Sequence, residues 1–174
     1  MDWNGELREF VAVRGASLSR AAYLLTGNRE AAEDLVQETY VVMVRQWRRI
    51  DSSNPEPYVR RIMYSRFVDG WRRRRHLVEL PTDSPGEVLD PVDEAGAAVD
   101  RLTLGQALMC LTPRQRSVLV LRFYEDLTEV QVADALGVST STVKSQTRVA
   151  LQRLRDLAPA AVASFDGSPE EVSE

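Results

Sequence analysis

Residues 128–154 read TEVQVADALGVSTSTVKSQTRVALQRL, and the spacing of small, hydroxylated and apolar side chains in this stretch decides the fold. Thr128-Glu129-Val130-Gln131 is a capping box: the threonine hydroxyl accepts from the backbone N–H three residues on, and the glutamine reaches back. Gly137, directly after Leu136, supplies the positive φ that ends a helix sharply. Ser139 then caps a second helix that extends to about Leu157. Ala133 is small where two helices must cross closely, and Leu136, Val138, Val143 and Leu151 supply the apolar contacts that fix the crossing. The pattern predicts a helix-turn-helix. Such units insert the second helix into the major groove N-terminus first, so Thr140, Ser141, Thr142, Lys144, Ser145 and Arg148 are the candidates for base edges and phosphates. Short hydroxyls beside free backbone amides suit phosphate, and Lys144 and Arg148 suit guanine. The alternative is a plain corner of two helices whose hydroxyls only cap; the basic exposed face favours nucleic acid.

Upstream, Thr112-Pro113-Arg114-Gln115 joins a capping box to a proline at the first helical position. It opens a helix through Val118, Leu119, Leu121 and Phe123, and Leu104, Leu108 and Leu111 mark a shorter one before it. Further back, Leu7, Phe10, Val11, Leu18, Ala21, Leu24 and Leu25 recur at three- and four-residue steps. Thr26-Gly27-Asn28 reads as a C-cap glycine followed by an N-cap. The helix from Arg29 to about Arg49 turns Ala32, Leu35, Val36, Val42, Met43 and Trp47 inward. Residues 52–57, rich in Ser, Asn and Pro, form a turn cluster. A third helix runs to about Arg75, burying Val59, Ile62, Met63, Phe67 and Trp71. No stretch alternates as a strand would, so the fold class is all-α, two small helical domains.

Charge locates the boundaries. The chain of 174 residues carries a formal charge of −4, which argues against a nucleic-acid binder until it is divided by position. Residues 1–76 hold 14 basic and 10 acidic side chains, and 101–157 hold 8 and 5, whereas 77–100 hold none and 7 and 158–174 none and 4. Two basic modules, 1–76 and 101–157, are therefore expected around a flexible acidic linker at 77–100, with an acidic, disordered tail at 158–174. No apolar run is long enough for a membrane span and the N-terminus lacks a signal-peptide pattern, so a cytoplasmic protein with no membrane insertion is expected. Cys110 is the single cysteine and His76 the single histidine. Together they leave no intrachain disulfide, no cysteine-rich zinc site and no metal site that needs two imidazoles. No catalytic residue, metal or cofactor is expected.

Residues 58–76, YVRRIMYSRFVDGWRRRRH, interleave arginine with aromatic rings. Single-stranded nucleic acid is bound by that pairing, because guanidinium neutralises phosphate while rings stack on unpaired bases. Phe67 and Trp71 share the apolar stripe and are read as core. Arg60, Arg61, Tyr64, Ser65 and Arg66 are read as binding residues, and the run from Arg72 to Arg75 as a phosphate contact. By contrast, Glu33, Asp34, Gln37 and Glu38 form an acidic helix face inside a basic module. Such a face repels DNA and suits a protein partner bearing arginines. Helix-dipole complementation is the alternative for Glu30 and Glu33.

At this point the residues resemble a known family. Residues 32–40, AEDLVQETY, are similar to the polymerase-binding segment of sigma region two; residues 142–145, TVKS, with 151–155, LQRLR, resemble the end of sigma region four. The resemblance covers nearly the whole chain outside linker and tail. It is to RNA polymerase sigma factors of the extracytoplasmic-function group, which keep regions two and four and lack region three; the VKSQT wording at 143–147 is similar to actinobacterial members. It implies that Asp34, Gln37 and Glu38 meet the β′ clamp of core RNA polymerase, with the β flap as the second docking point. It implies that the turn from Ile50 to Pro57 and the helix bearing Arg60, Arg61, Tyr64, Ser65, Arg66, Asp69 and Arg72 read and melt the minus-ten element of promoter DNA. The helix-turn-helix would hold the minus-thirty-five duplex. Many relatives have an anti-sigma factor as partner. Tyr58 stands where family members often carry Trp, and Ser65 where a more polar Asn is common; both departures bear on base preference. A dimeric helix-turn-helix repressor is the competing reading, and it needs neither the basic aromatic helix nor the acidic face.

Overall fold

The computed structural model describes residues 3–50, 54–77 and 103–159. Among them there are seven α-helices and no strand: α1 (Trp3–Thr26), α2 (Arg29–Gln46), α3 (Glu56–Leu77), α4 (Leu104–Met109), α5 (Pro113–Leu119), α6 (Glu129–Leu136) and α7 (Thr140–Leu157). A 3-10 turn, Trp47–Arg49, follows α2, and a π-helical turn, Val120–Tyr124, extends α5. Residues 78–102 and 160–174, on which most of the expected linker and tail fall, lie outside the described residues.

The first module is α1 to α3. Its interior is the expected stripe: Leu18, Ala21, Leu25, Leu35, Met43, Trp47, Val59, Met63 and Phe67 are buried. Phe10 sets its ring 5.7 Å from that of Trp47, a tilted aromatic pair. Two expectations shift slightly: Val42 and Trp71 are half-buried, at the margin of the stripe. The helix α3 also begins inside the expected turn cluster, at Glu56. Pro57 is tolerated there because a first-turn residue has no intrahelical acceptor for its N–H, and Val59 N–H already bonds Pro55 O at 3.0 Å.

The second module uses short helices of 6, 7 and 8 residues, α4, α5 and α6. Helices that short are marginal alone, so their ends must be satisfied. Each opens with a full capping box, at Thr103 and Gln106, Thr112 and Gln115, and Thr128 and Gln131. The last two match the sequence reading; the first was masked by its place at the foot of an acidic stretch. Gly137 adopts φ 65° at the end of α6, and Ser139 Oγ accepts from Thr142 N at 3.2 Å to start α7.

The two modules are docked rather than separate. One apolar cluster runs from Leu25, Met63 and Phe67 into Val118, Leu121, Val132, Ala133 and Val143, with Leu136 and Val138 packed on it. Arg116 sits at the junction, buried. Its guanidinium donates to Leu108 O at 2.8 Å, to Met109 O and Leu111 O at 3.1 Å each, and to Leu25 O on α1. It also lies 5.8 Å from the Phe67 ring centroid. Burial lowers its pKa to about 10, so it stays cationic near neutrality and each carbonyl dipole stabilises the charge.

Candidate nucleic-acid interface

The helix-turn-helix geometry follows from its caps. Gly137 N–H and Val138 N–H both return to Ala133 O, the latter at 3.0 Å, which closes α6 on its own backbone. Ser139 Oγ sits 2.9 Å from Ser141 Oγ and 2.8 Å from Thr142 Oγ1, a hydroxyl cluster around the first amides of α7. Thr140, Ser141, Lys144, Ser145 and Arg148 are exposed along one side of α7, and Thr142 is half-buried. Lys144 Nζ stands 3.6 Å from Glu129 Oε2, an exposed pair of little energetic weight that leaves the ammonium available. Val143, Ala150 and Leu154 on the opposite side are buried, so α7 is fixed by its apolar stripe while its polar side faces out.

On α2, Asp34, Gln37 and Glu38 are all exposed. They line a shallow groove with Val41, Val42 and Arg45, closed on its far wall by Arg66 and Arg73 of α3. The acidic face and part of the basic helix thus share one groove. Val41 and Val44 add exposed apolar surface beside the carboxylates. A mixed surface of this kind suits a protein partner, where charges orient and apolar atoms supply affinity.

The expected single-strand set on α3 is divided. Arg61, Ser65, Asp69 and Arg72 are exposed, Arg66 is half-buried, and Asp69 pairs loosely with Arg72 at 3.8 Å. Arg60 is drawn inward, its side chain 14 % exposed, and held by Glu56 and by Glu125, the latter at 2.8 Å. Glu56 also takes Arg14 of α1, so one carboxylate ties two helices. Tyr64 is fully buried against the second module. Burial, and then the neighbouring Glu125 carboxylate, push its phenol well above the ordinary tyrosine range; Tyr124 adds to this and Arg60 opposes it. Ser65, Asp69 and Arg72 line a crevice together with Thr142 and Gln146 of α7, with Tyr64 at its base. The sequence carried no sign of Glu125 as a partner of Arg60, since the pair spans 65 residues and depends on docking. No helix among the described residues is long and apolar enough to cross a membrane, and those residues hold no cluster of three or more potential metal ligands.

Fold and surface define a two-module helix-turn-helix protein with a separate, exposed acidic face on α2. The family model Sigma-70 region 2 matches residues 14–77, and Sigma-70, region 4 matches 107–156. The "RNA polymerase sigma-E factor" of Streptomyces coelicolor is 37% identical over 153 residues, covering 87% of this chain and 85% of that one. The "ECF RNA polymerase sigma factor SigL" of Mycobacterium tuberculosis is 31% identical over 156 residues, covering 86% of each. Among solved structures, the sigma factor RpoE of Bartonella quintana in complex with the anti-sigma factor NepR superposes with TM-score 0.66 at 25% identity, over 86% of this chain and 94% of that one. CnrH in complex with the cytosolic domain of CnrY, at 19% identity and TM-score 0.58, covers 94% and 89% and shares the fold. The chain belongs to the extracytoplasmic-function group of RNA polymerase sigma factors. It is a transcription-initiation factor whose partners are core RNA polymerase and promoter DNA, and it is not an enzyme.

Proposed function

We propose that this sigma factor docks on polymerase through Asp34, Gln37 and Glu38, captures the melted minus-ten strand with α3, and grips the minus-thirty-five duplex with α7. The observation that carries this is the segregation of chemistry: carboxylates and an amide exposed on α2, hydroxyl and basic groups exposed on α7. On α3 the working set is Arg60, Arg61, Tyr64, Ser65, Arg66, Asp69 and Arg72. On α7 it is Thr140, Ser141, Thr142, Lys144, Ser145 and Arg148. Residues 1–76 and 101–157 act as the two modules, with 77–100 as tether and 158–174 as tail. Melting is driven by binding, because unpaired bases find stacking and phosphate contacts that duplex DNA cannot reach. The chain works where polymerase works, in the cytoplasm. The anti-sigma complexes of its structural neighbours support a protein regulator of the same kind for this chain.

Mixing the purified chain with core polymerase tests the reading: co-elution and promoter-specific initiation are expected. Tight duplex binding as a symmetric dimer, with no affinity for core, would replace it by a helix-turn-helix repressor. Glu38→Lys weakens core binding while leaving the circular dichroism spectrum intact; unchanged core affinity removes Glu38 from the docking face. Arg148→Ala relaxes discrimination within the minus-thirty-five element by about 1–3 kcal/mol, read from binding to single-base variants. Equal losses on every sequence would make Arg148 a phosphate contact.

A further inference from the structure

The outer side of α7 carries two parallel ridges. Lys144, Arg148 and Gln152 recur at four-residue steps, as do Ser141, Ser145 and Val149, and all six are exposed. Residues four apart stand above one another on a helix face, so each set forms a line, the second turned by about 100° from the first. The first ridge is long: Gln152 Nε2 donates to Asp156 Oδ1 at 3.0 Å, which leaves its outward reach to Lys144 and Arg148. The second is short. Ser145 Oγ folds back to donate to Thr142 O at 3.4 Å, and Ser141 Oγ lies 2.9 Å from Ser139 Oγ. A helix laid in the major groove comes closest to the base edges along such a line of short side chains.

Val149 interrupts the chemistry of this surface. It is 42 % exposed, whereas Val143, Ala150 and Leu154 are buried and Leu151 and Leu157 half-buried. The inward stripe of α7 is complete without it. Helix formation does not favour it either, because a β-branched side chain at an exposed helix position is worse than alanine. Its surface neighbours Ser145, Arg148 and Gln152 are polar and exposed, so the apolar area is one side chain wide. The apolar centre of a protein interface is broader than that. A single methyl group matches it, and among the groups that base pairs present in the major groove the thymine 5-methyl is the apolar one.

We propose that Val149 is a specificity-determining residue of the minus-thirty-five contact and recognises a thymine by its 5-methyl group. This rests on the assignment of α7 to the minus-thirty-five duplex. The valine methyls and the thymine methyl leave water together, which favours thymine. Cytosine at the same place would set its amino donor against an apolar side chain, and that donor would lose water without gaining an acceptor. Arg148 and Val149, adjacent in sequence but on different ridges, thus select by opposite means: one donates hydrogen bonds and the other excludes water.

The test uses holoenzyme, reconstituted from the full chain and core polymerase, and a duplex DNA pool of randomised sequence. Once holoenzyme has selected its duplexes, each thymine in their minus-thirty-five segment is replaced in turn by deoxyuridine, which deletes the methyl group and nothing else. At one thymine the replacement should weaken binding by about fourfold, the worth of one buried methyl group. Val149→Ala, an exposed change to a better helix former, should weaken binding to the thymine duplex to a similar extent. It should also make the deoxyuridine replacement silent, a coupling read from the double-mutant cycle of protein and DNA. A deoxyuridine penalty that is equal in both proteins at every thymine, or a selected segment without thymine, overturns the role of Val149 and leaves the sigma reading intact. Failure of the chain to form holoenzyme removes the sigma reading; the same cycle, run with the chain alone on duplexes that it selects from the pool, then decides whether Val149 reads a methyl group.

Discussion

Two turns in this protein are built alike and end differently. Thr26-Gly27-Asn28 and Gly137-Val138-Ser139 each place a glycine at positive φ, 75° and 65°, and follow it with a polar N-cap. The second turn is self-contained: Ala133 O takes the N–H groups of Gly137 and Val138, and a Cβ on Gly137 would meet open space. The first is completed from a distance. Tyr23 O takes Gly27 N–H at 2.8 Å and Ala22 O takes the Thr26 hydroxyl, but Leu25 O is satisfied by Arg116, 91 residues away. A Cβ on Gly27 would collide with the Met109 side chain at Sδ. Equivalent local chemistry thus makes a corner closed on its own backbone in one place and one completed by the other module in the other.

The largest expected effect breaks the joint. Arg116→Ala removes the side-chain donor from the carbonyls of Leu25, Met109 and Leu111 and one of several donors from that of Leu108, and destabilises the chain by on the order of 3 kcal/mol in urea unfolding. A loss below about 1 kcal/mol would show that water replaces the guanidinium and that the hub is dispensable. The comparison sharpens with the glycines. Gly137→Ala should cost about 1 kcal/mol, the strain of a left-handed conformation alone. Gly27→Ala should cost more, and the excess should vanish in a Met109→Ala background, measured as a double-mutant cycle. Equal costs in both backgrounds would mean that the Met109 side chain swings aside freely. The smallest effect separates the caps. Asn28→Ala removes one accepted bond, to Ala31 N at 2.8 Å, and should cost about 0.5–1 kcal/mol. Thr128→Ala dismantles a reciprocal box on an eight-residue helix and should cost about 1–2 kcal/mol by thermal unfolding; the reverse ranking would show that packing, not capping, holds α6.

Local features were the legible ones. Thr112, Thr128, Gly137 and Ser139 state helix ends through chemistry confined to three or four residues, and each behaves as its neighbours dictate. The inward stripes of α1 to α3 were readable for the same reason, since periodicity is a local signal. The exposed sets on α2 and α7 followed as the complements of those stripes. What could not be read was anything settled by docking. Tyr64 has the composition of a surface ring in a basic helix, yet it is fully buried beside Arg114, Val118 and Glu125 of the second module. Arg116 sits in a capped helix where an arginine is expected to be solvated, yet it is enclosed by carbonyls from two modules. Asp126 holds φ 53° with no glycine to announce it. Its place after the π-helical turn explains why periodicity fails there: five residues follow a wider spiral than the α-helical count assumes.

That wider spiral has a genetic consequence. A π turn is an α-helix with one residue too many, and one residue is worth about 100° of rotation. Loss of a single codon between Val120 and Tyr124 would restore a plain helix and swing Tyr124 and Glu125 away from Arg20 and Arg60 at one stroke. The reach of this helix across the joint is a matter of reading length rather than side-chain identity, and a lineage could gain or lose it through one in-frame deletion.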